Sequence, residues 1–342
     1  MKKIFLFALS VSFYSCMAQQ SKELVNVDEM DFANTITSNE LKEHLYIFAS
    51  DEFEGRETGE PGQKKAAEYL KAEYKKLNIP SPLGNDDYFQ EVPASVFDGD
   101  IKDSENVVAF IEGSEKPEEI LVISSHYDHM GIDAEGNIFN GADDDGSGTV
   151  AVLEIAEAFM EAKASGFGPK RSILFLNVTG EEKGLIGSKY YTDNPIFPLS
   201  QTVADLNIDM IGRSDVAHKG NNNYVYLIGS DKLSTELHNL SEEVNSKYMN
   251  MDFDYTYNDE NDPNRFYYRS DHYNFAKNNI PIIFYFNGVH ADYHKMTDTP
   301  DKIEYDLLSK RARLIFLTAW EIANRAERPL VDKPETGSPA AE

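Results

Sequence analysis

Cysteine is almost missing from this chain. Cys16 is the only one in 342 residues, so no intrachain disulfide can staple the body, and a hydrophobic core or bound ions must hold it. Basic residues are also scarce, with 32 Lys+Arg against 59 Asp+Glu and a formal net charge of -27. Such a surface lacks the clustered cations that phosphate contacts require, which argues against nucleic acid as a partner. It favours solubility and cationic or neutral substrates without fixing a function. Internal repeats are missing, and no linker splits the body. Hydrophobic residues make up 41% and aromatic residues 12%, too much for a disordered chain and ordinary for one large α/β domain.

The chain opens on an address. Lys2-Lys3 is a basic start, and Ile4 to Phe13 is an apolar run too short to anchor stably across a bilayer. Tyr14-Ser15-Cys16 then resembles a bacterial lipobox, with Phe13 where Leu is usual. Cys16 would become the lipidated first residue of the mature protein. The competing reading is simple cleavage after Cys16-Met17-Ala18. Both imply export, lipid-anchored in the cell envelope or secreted. The expected organisation is a signal peptide over 1–18, a tether over 19–36, a single domain over 37–326 and a flexible tail over 327–342.

Periodicity predicts the elements of that domain. Helices are expected over 38–48, 63–77, 150–162, 184–191, 233–244 and 307–325. Alternating strands are expected over 88–96 and 106–111. Short continuous apolar runs at 120–124, 172–178, 203–208, 224–228 and 282–286 read as buried strands. Strands alternating with helices imply an α/β fold: a mostly parallel central sheet with helices on both faces.

The most informative stretch is Asn140-Gly141-Ala142-Asp143-Asp144-Asp145-Gly146-Ser147-Gly148-Thr149. Three adjacent carboxylates in a glycine-rich turn repel one another, and none can enter a core unpaired. A hard or borderline cation would accept them as ligands. Alone, the stretch reads as a solvated acidic turn; its company changes that. The strands at 120–124, 172–178, 203–208 and 282–286 lead into His126-Tyr127-Asp128-His129, Glu181-Glu182, Asp209 and His290-Ala291-Asp292-Tyr293-His294. In an open parallel sheet, ligands collect at these carboxyl ends.

Together these motifs resemble the co-catalytic di-zinc exopeptidases: secreted bacterial leucyl-type aminopeptidases, glutamate carboxypeptidase and, more distantly, glutaminyl cyclases. The resemblance runs from about Asn39 to the closing helix and includes G-R-E-T-G-E-P-G at Gly55 to Gly62. It implies the three-layer α/β/α fold of those enzymes, two Zn²⁺ per chain and a peptide substrate. It further implies that His126, Asp144, Glu182, Asp209 and His294 are metal ligands, with Asp144 bridging, and that Glu181 is the general base. His126 and Asp209 would complete one site, Glu182 and His294 the other. Three carboxylates bring a charge of about -3 against about +4 from two divalent ions. One bound hydroxide, the nucleophile, would neutralise the centre. Mixed imidazole and carboxylate donors suit zinc, with cobalt or manganese as substitutes. Asp128 is the expected acceptor for the second N–H of His126. Tyr293 would stabilise the tetrahedral oxyanion, and Asp145 would support the turn.

His129, His290, Arg56 and Ser270-Asp271-His272 are read as structural. Adjacent residues in one stretch cannot form the three-point geometry of a serine triad. Aminopeptidase activity is the leading expectation. Carboxypeptidase or dipeptidase activity on the same centre would need a cationic clamp, for which Arg213, Arg265 and Arg269 are the candidates. Glutaminyl cyclisation, with one zinc, and a non-catalytic envelope-binding role are the remaining alternatives. The sequence leaves the oligomeric state and the side-chain preference open.

Overall fold

A computed structural model describes residues 28–333. The expected signal peptide and Cys16 lie outside the described residues, as does the end of the expected tail. Ten strands occur among these residues: β1 Phe89–Val92, β2 Ser104–Ile111, β3 Lys116–His126, β4 Gly131–Ile132, β5 Ile138–Phe139, β6 Arg171–Val178, β7 Thr202–Ile208, β8 Tyr224–Ile228, β9 Asp252–Asp254 and β10 Ile282–Phe286. The α-helices are α1 Glu29–Ala33, α2 Ser38–Phe48, α3 Pro61–Lys76, α4 Gly148–Ala164, α5 Ile186–Asp193, α6 Thr235–Val244, α7 His272–Ala276 and α8 Tyr305–Asn324.

Eight strands form one sheet in the order β1-β2-β6-β3-β7-β10-β8-β9, while β4 and β5 make a separate hairpin. The four central strands β6, β3, β7 and β10 run parallel. Antiparallel pairings join β1 to β2, β2 to β6 and β8 to β10. The mostly parallel sheet with helices on both faces is therefore present, with antiparallel additions on either side of the parallel centre.

The two-residue period of the strands divides the core into two clusters. Leu121 and Ile123 of β3, Ile173 and Phe175 of β6 and Ile283 and Tyr285 of β10 face one side, where α2, α3, α4, α6 and α8 pack. Ile120 and Val122, Leu174 and Leu176, and Ile282 and Phe284 face the other, against Tyr191 of α5 and Phe275 of α7. Burial of both faces explains why these strands read as unbroken apolar runs.

The expected boundaries need two corrections. Residues 29–36, expected within the tether, are folded: Phe32 of α1 stacks on Trp320 of α8 at 5.6 Å between ring centres, and Ile36 is fully buried. Polar neighbours hid three core residues in that segment. The expected tail is bound at its start, where Arg328 donates to the Ser200 and Thr202 carbonyls and the Leu330 amide to Glu236.

Candidate metal centre

The parallel strands deliver their carboxyl ends to one edge. β3 ends on His126, β6 leads into Glu181-Glu182, β7 into Asp209, and β10 through Gly288 to His294. The loop before α4 supplies the three aspartates.

Hydrogen bonding separates those aspartates. Asp143 accepts from the Gly212 amide at 2.7 Å and the Ser147 hydroxyl at 2.9 Å, and its other oxygen lies 3.0 Å from His290 Nε2. Asp145 accepts from the Gly148 amide at 2.8 Å and the Met210 amide at 3.1 Å. Asp144 has no such support: its Oδ2 is buried without a hydrogen-bond partner. The flanking carboxylates thus stabilise the turn, and the middle one is left for another partner. Asp298 braces the turn from below, accepting from the Asp143 and Asp144 amides.

The two oxygens of Asp144 face two imidazoles. Oδ1 lies 3.2 Å from His126 Nε2, and Oδ2 lies 3.0 Å from His294 Nε2. Around the first, Asp209 Oδ1 is 3.6 Å from His126 Nε2. Around the second, Glu182 Oε2 is 3.4 Å from His294 Nε2. All five expected ligands therefore converge in the expected two groups. His126 Nε2, Asp144 Oδ2 and Glu182 Oε1 are buried without hydrogen-bond partners. Donors in that state, of oxygen and imidazole type, fit a pair of divalent cations.

The electrostatics agree. Burial opposes charging His126, yet Glu181 and Asp209 outweigh it and hold the imidazole well above its ordinary range. Burial likewise opposes His294, while Asp144 and Glu182 raise it to about 10. Burial and Asp144 push Glu182 up, but His129 and His294 more than offset them and bring it to about 2. The site stores negative charge that protons only partly balance, as a cation site does.

Glu181 lies beside this cluster, its Oε2 4.0 Å from His126 Nε2. Burial lifts it well above the usual carboxylate range, partly offset by His126 and reinforced by Glu182 and Asp209. Asp128 stands beside His126 as expected and also reaches other partners. His126 Nδ1 donates to the Asp128 backbone carbonyl at 3.1 Å, while the carboxylate stands 3.7 Å away. That carboxylate accepts instead from the Glu181 amide at 3.2 Å and the Thr58 hydroxyl at 2.7 Å. It holds the backbone of Glu181, and the turn after β3 is what swings its side chain there. Tyr293 stacks on His294 at 3.8 Å, and burial with Asp144 and Asp209 pushes its phenol up, so it stays a neutral donor.

The cleft above the cluster is lined by Asp144, Glu181 and Asp209, by Met210, Phe266, Phe284 and Phe286, and by Arg269, Tyr293 and His294. Of the three arginines considered as a clamp, Arg269 alone lines it. Arg213 pairs with Asp292 at 3.1 Å, and Arg265 lies over the Tyr268 ring.

Three residues read as structural sit closer to the centre than expected. Ser270 donates to Asp209 Oδ2 at 2.6 Å and accepts from Asn207, so it orients that carboxylate. Arg56 is fully buried and donates to the Phe48, Tyr127, Asn140 and Gly141 carbonyls. His129 lies among the expected ligands, with Nδ1 2.9 Å from Glu182 Oε1. Its signal in the sequence was the second His of H-Y-D-H, three residues after a ligand. Asp271 and His272 are structural, bonding to Ser188 and to the Tyr267 carbonyl.

Comparison with known proteins points the same way. The chain is 36% identical over 106 residues to a protein of Arabidopsis thaliana described as a probable glutamate carboxypeptidase, covering 31% of this chain and 14% of that one. It is 33% identical over 144 residues to aminopeptidase NAALADL1 of Rattus norvegicus, covering 41% of this chain and 18% of that one. It thus spans less than a fifth of the length of either relative. The crystal structure of the Legionella pneumophila LapA aminopeptidase superposes with a TM-score of 0.66 at 21% identity, over 88% of this chain and 76% of that one, which establishes a shared fold. The sequence profile of peptidase family M28 matches residues 106–319, from β2 to the last turns of α8 and across every ligand-type residue of the cluster, and the chain belongs to that family.

Proposed function

We propose that the protein is a zinc exopeptidase of the aminopeptidase type, acting on peptides with an apolar first residue. The observation that carries this reading is Asp144. It is a buried carboxylate with each oxygen turned to a different imidazole, at 3.2 and 3.0 Å, beside the free carboxyl of Glu181. Asp144 would bridge two zinc ions, His126 and Asp209 completing one site and Glu182 and His294 the other. Zinc is named by relatives of this chain, such as a protein of Leptosphaeria maculans described as a probable zinc metalloprotease. Bound there, the ions supply Lewis acidity, polarising a carbonyl and making water acidic.

The remaining work falls to side chains. Glu181 accepts a proton from the attacking water and delivers it to the departing amine; burial raises its carboxyl, which makes the carboxylate a stronger base than an exposed one. Asp128 fixes the Glu181 amide. The neutral Tyr293 phenol donates to the carbonyl oxygen as negative charge grows on it. Met210, Phe266, Phe284 and Phe286 offer an apolar wall for the first side chain of the substrate.

Aminopeptidase action is favoured over carboxypeptidase action by the charge of that cleft. Three carboxylates line it against one arginine, Arg269, which is exposed at the rim. A protonated α-amino group is attracted there, whereas a substrate carboxylate would lack a buried pair of cations. Export is part of the proposal, supported by Lys2-Lys3, the apolar run to Phe13 and Cys16; an unprocessed Met1 on protein isolated from the native cell would remove it.

Glu181→Gln should keep both zinc ions and lose about 10²–10⁴-fold in kcat. Full activity in that variant ends the assignment. Leucyl and phenylalanyl substrates with a free amino group should be cleaved, and N-acetylated ones should not. The opposite pattern, with cleavage blocked by C-terminal amidation, would make it a carboxypeptidase.

A further inference from the structure

We propose that His129 is a sixth metal ligand, binding through Nδ1 to the ion on the Glu182–His294 side. The proposal rests on the two-ion reading given above. That ion then has four protein donors, Asp144, Glu182, His294 and His129. The ion on the His126–Asp209 side has three.

His129 is fully buried. Its Nδ1 lies 2.9 Å from Glu182 Oε1 and 3.9 Å from Asp144 Oδ2. One donor atom from each of the three residues falls within 4.8 Å of the others. At 2.9 Å a hydrogen bond between imidazole and carboxylate would be expected, yet neither Nδ1 nor Glu182 Oε1 has a hydrogen-bond partner. The two atoms are close without the alignment that a shared proton needs. Donors about 2.0–2.2 Å from one tetrahedral ion sit about 3.3–3.6 Å apart. The separations from His129 Nδ1 to Glu182 Oε1 and to Asp144 Oδ2, 2.9 and 3.9 Å, and from Asp144 Oδ2 to His294 Nε2, 3.0 Å, scatter about that edge. His126 Nε2 and Asp144 Oδ2 carry the same mark, being buried, unpaired and turned toward other donors.

The backbone makes room for this ring. Gly141 has φ +54°, and a Cβ placed on it would stand 2.5 Å from Cγ and Cδ2 of His129. A side chain at that position is excluded by the imidazole itself. The His129 amide is tied to the Arg56 carbonyl at 3.1 Å, which fixes the segment between β3 and β4 that carries the ring.

The consequence is an unequal pair. Zinc with four protein donors is closed, whereas zinc with three keeps a position for water or substrate. The Glu182 side becomes the anchored ion, and the His126 side the one with a free coordination position.

Two experiments decide this. In crystals of the wild-type chain loaded with zinc, His129 Nδ1 should stand about 2.0–2.1 Å from one ion. A ring nitrogen more than ~3 Å from both ions, as in a hydrogen bond to Glu182, overturns the proposal. In calorimetric titration of the metal-free protein, His129→Ala should weaken one of two zinc-binding steps by at least about tenfold and spare the other. His126→Ala should weaken the opposite step. Two unchanged steps in His129→Ala also overturn it. Should that variant fail to fold, as its circular dichroism would show, the wild-type crystal alone gives the answer. Wild-type protein that binds no zinc defeats the two-ion reading itself, and this result differs from two normal steps with an unbound His129.

Discussion

Asp144 and its two neighbours have the same chemistry and different fates, because backbone amides reach only the outer pair. Gly212 and Met210, just past the end of β7, donate to Asp143 and Asp145. Arg56 works in a similar way on carbonyls. Its guanidinium lies under the hairpin of β4 and β5 and collects four of them, from the ends of α2 and β3 and from the aspartate turn. Burial lowers it to about 10, with Asp298 and Asp144 acting in the opposite sense, so it stays charged at neutral pH. A lysine presents three donors from one point and cannot reach all four acceptors. Arg56→Lys is expected to cost about 3 kcal/mol or more in urea unfolding and to weaken zinc binding with it. A change within ~0.5 kcal/mol would show that the carbonyls find other donors. Asp128→Asn belongs to the same scale. Its amide would face one donor, Thr58 or the Glu181 N–H, instead of accepting from both. We expect kcat to fall about 10–100-fold with zinc content unchanged. Loss of zinc instead would mean that Asp128 serves the ligands and not the base.

At the scale of elements, α4 carries a buried acid far from the cleft. Glu154 is 2% exposed, one of its oxygens has no hydrogen-bond partner, and His44 of α2 stands 3.4 Å from it. Burial, reinforced by Glu40 and Glu157, lifts Glu154 from 4.5 to about 9. His44 cannot answer with a positive charge, because burial lowers it as well. The folded state therefore holds a proton that the unfolded chain releases near 4.5. Stability from this group is complete below that pH and is lost as pH rises through about 9. Denaturation midpoints of the wild type should fall between about pH 5 and pH 9, and Glu154→Gln should flatten that slope. An identical slope in the variant would assign the effect elsewhere. The helix tolerates this acid because α2, α3 and α4 bury it together, where Tyr69 bonds the far nitrogen of His44 at 2.6 Å.

At the scale of the whole molecule, the centre is a concentration of negative charge inside an already acidic protein of net charge -27. Glu181 and Glu182, Asp209, and Asp144 approach one another from three separate segments, and no cysteine bridge holds those segments together. Cation binding should then be a large part of the stability. A chelator should lower the melting temperature, and zinc at about 100 times its Kd should restore about 2.7 kcal/mol. An unchanged melting temperature after complete metal removal would mean that the fold carries the repulsion unaided. The same convergence explains why His294 can occupy left-handed backbone at φ 54°: the surrounding contacts fix it where a non-glycine residue rarely goes.

Much of this was legible in the amino-acid order. Burial on both faces leaves unbroken apolar runs, so the central strands and the edge on which their polar ends gather could be read locally. His126, Glu181, Glu182 and Asp209 lie at or just past the ends of those strands, and the resemblance of the motifs to a known family picked them out together with Asp144 and His294. Other features depend on partners distant in sequence. The turn Asp143-Asp144-Asp145 states that carboxylates meet there, but amides some 65 residues later decide which one stays free. Asp128 stands 3.7 Å from the imidazole expected to donate to it, but its bonds to Thr58 and the Glu181 amide come from the fold of the turn after β3 and not from the spacing. Arg56 is structural as read, but only the assembled hairpin and α2 show what surrounds it and His129, and α1 looked like tether because Trp320, nearly three hundred residues on, supplies its packing partner. Sequence determined the inventory and its edge of the sheet, since periodicity is local; tertiary structure alone decided which of those groups were left without a hydrogen bond, since satisfaction of a buried polar atom depends on every segment that reaches it.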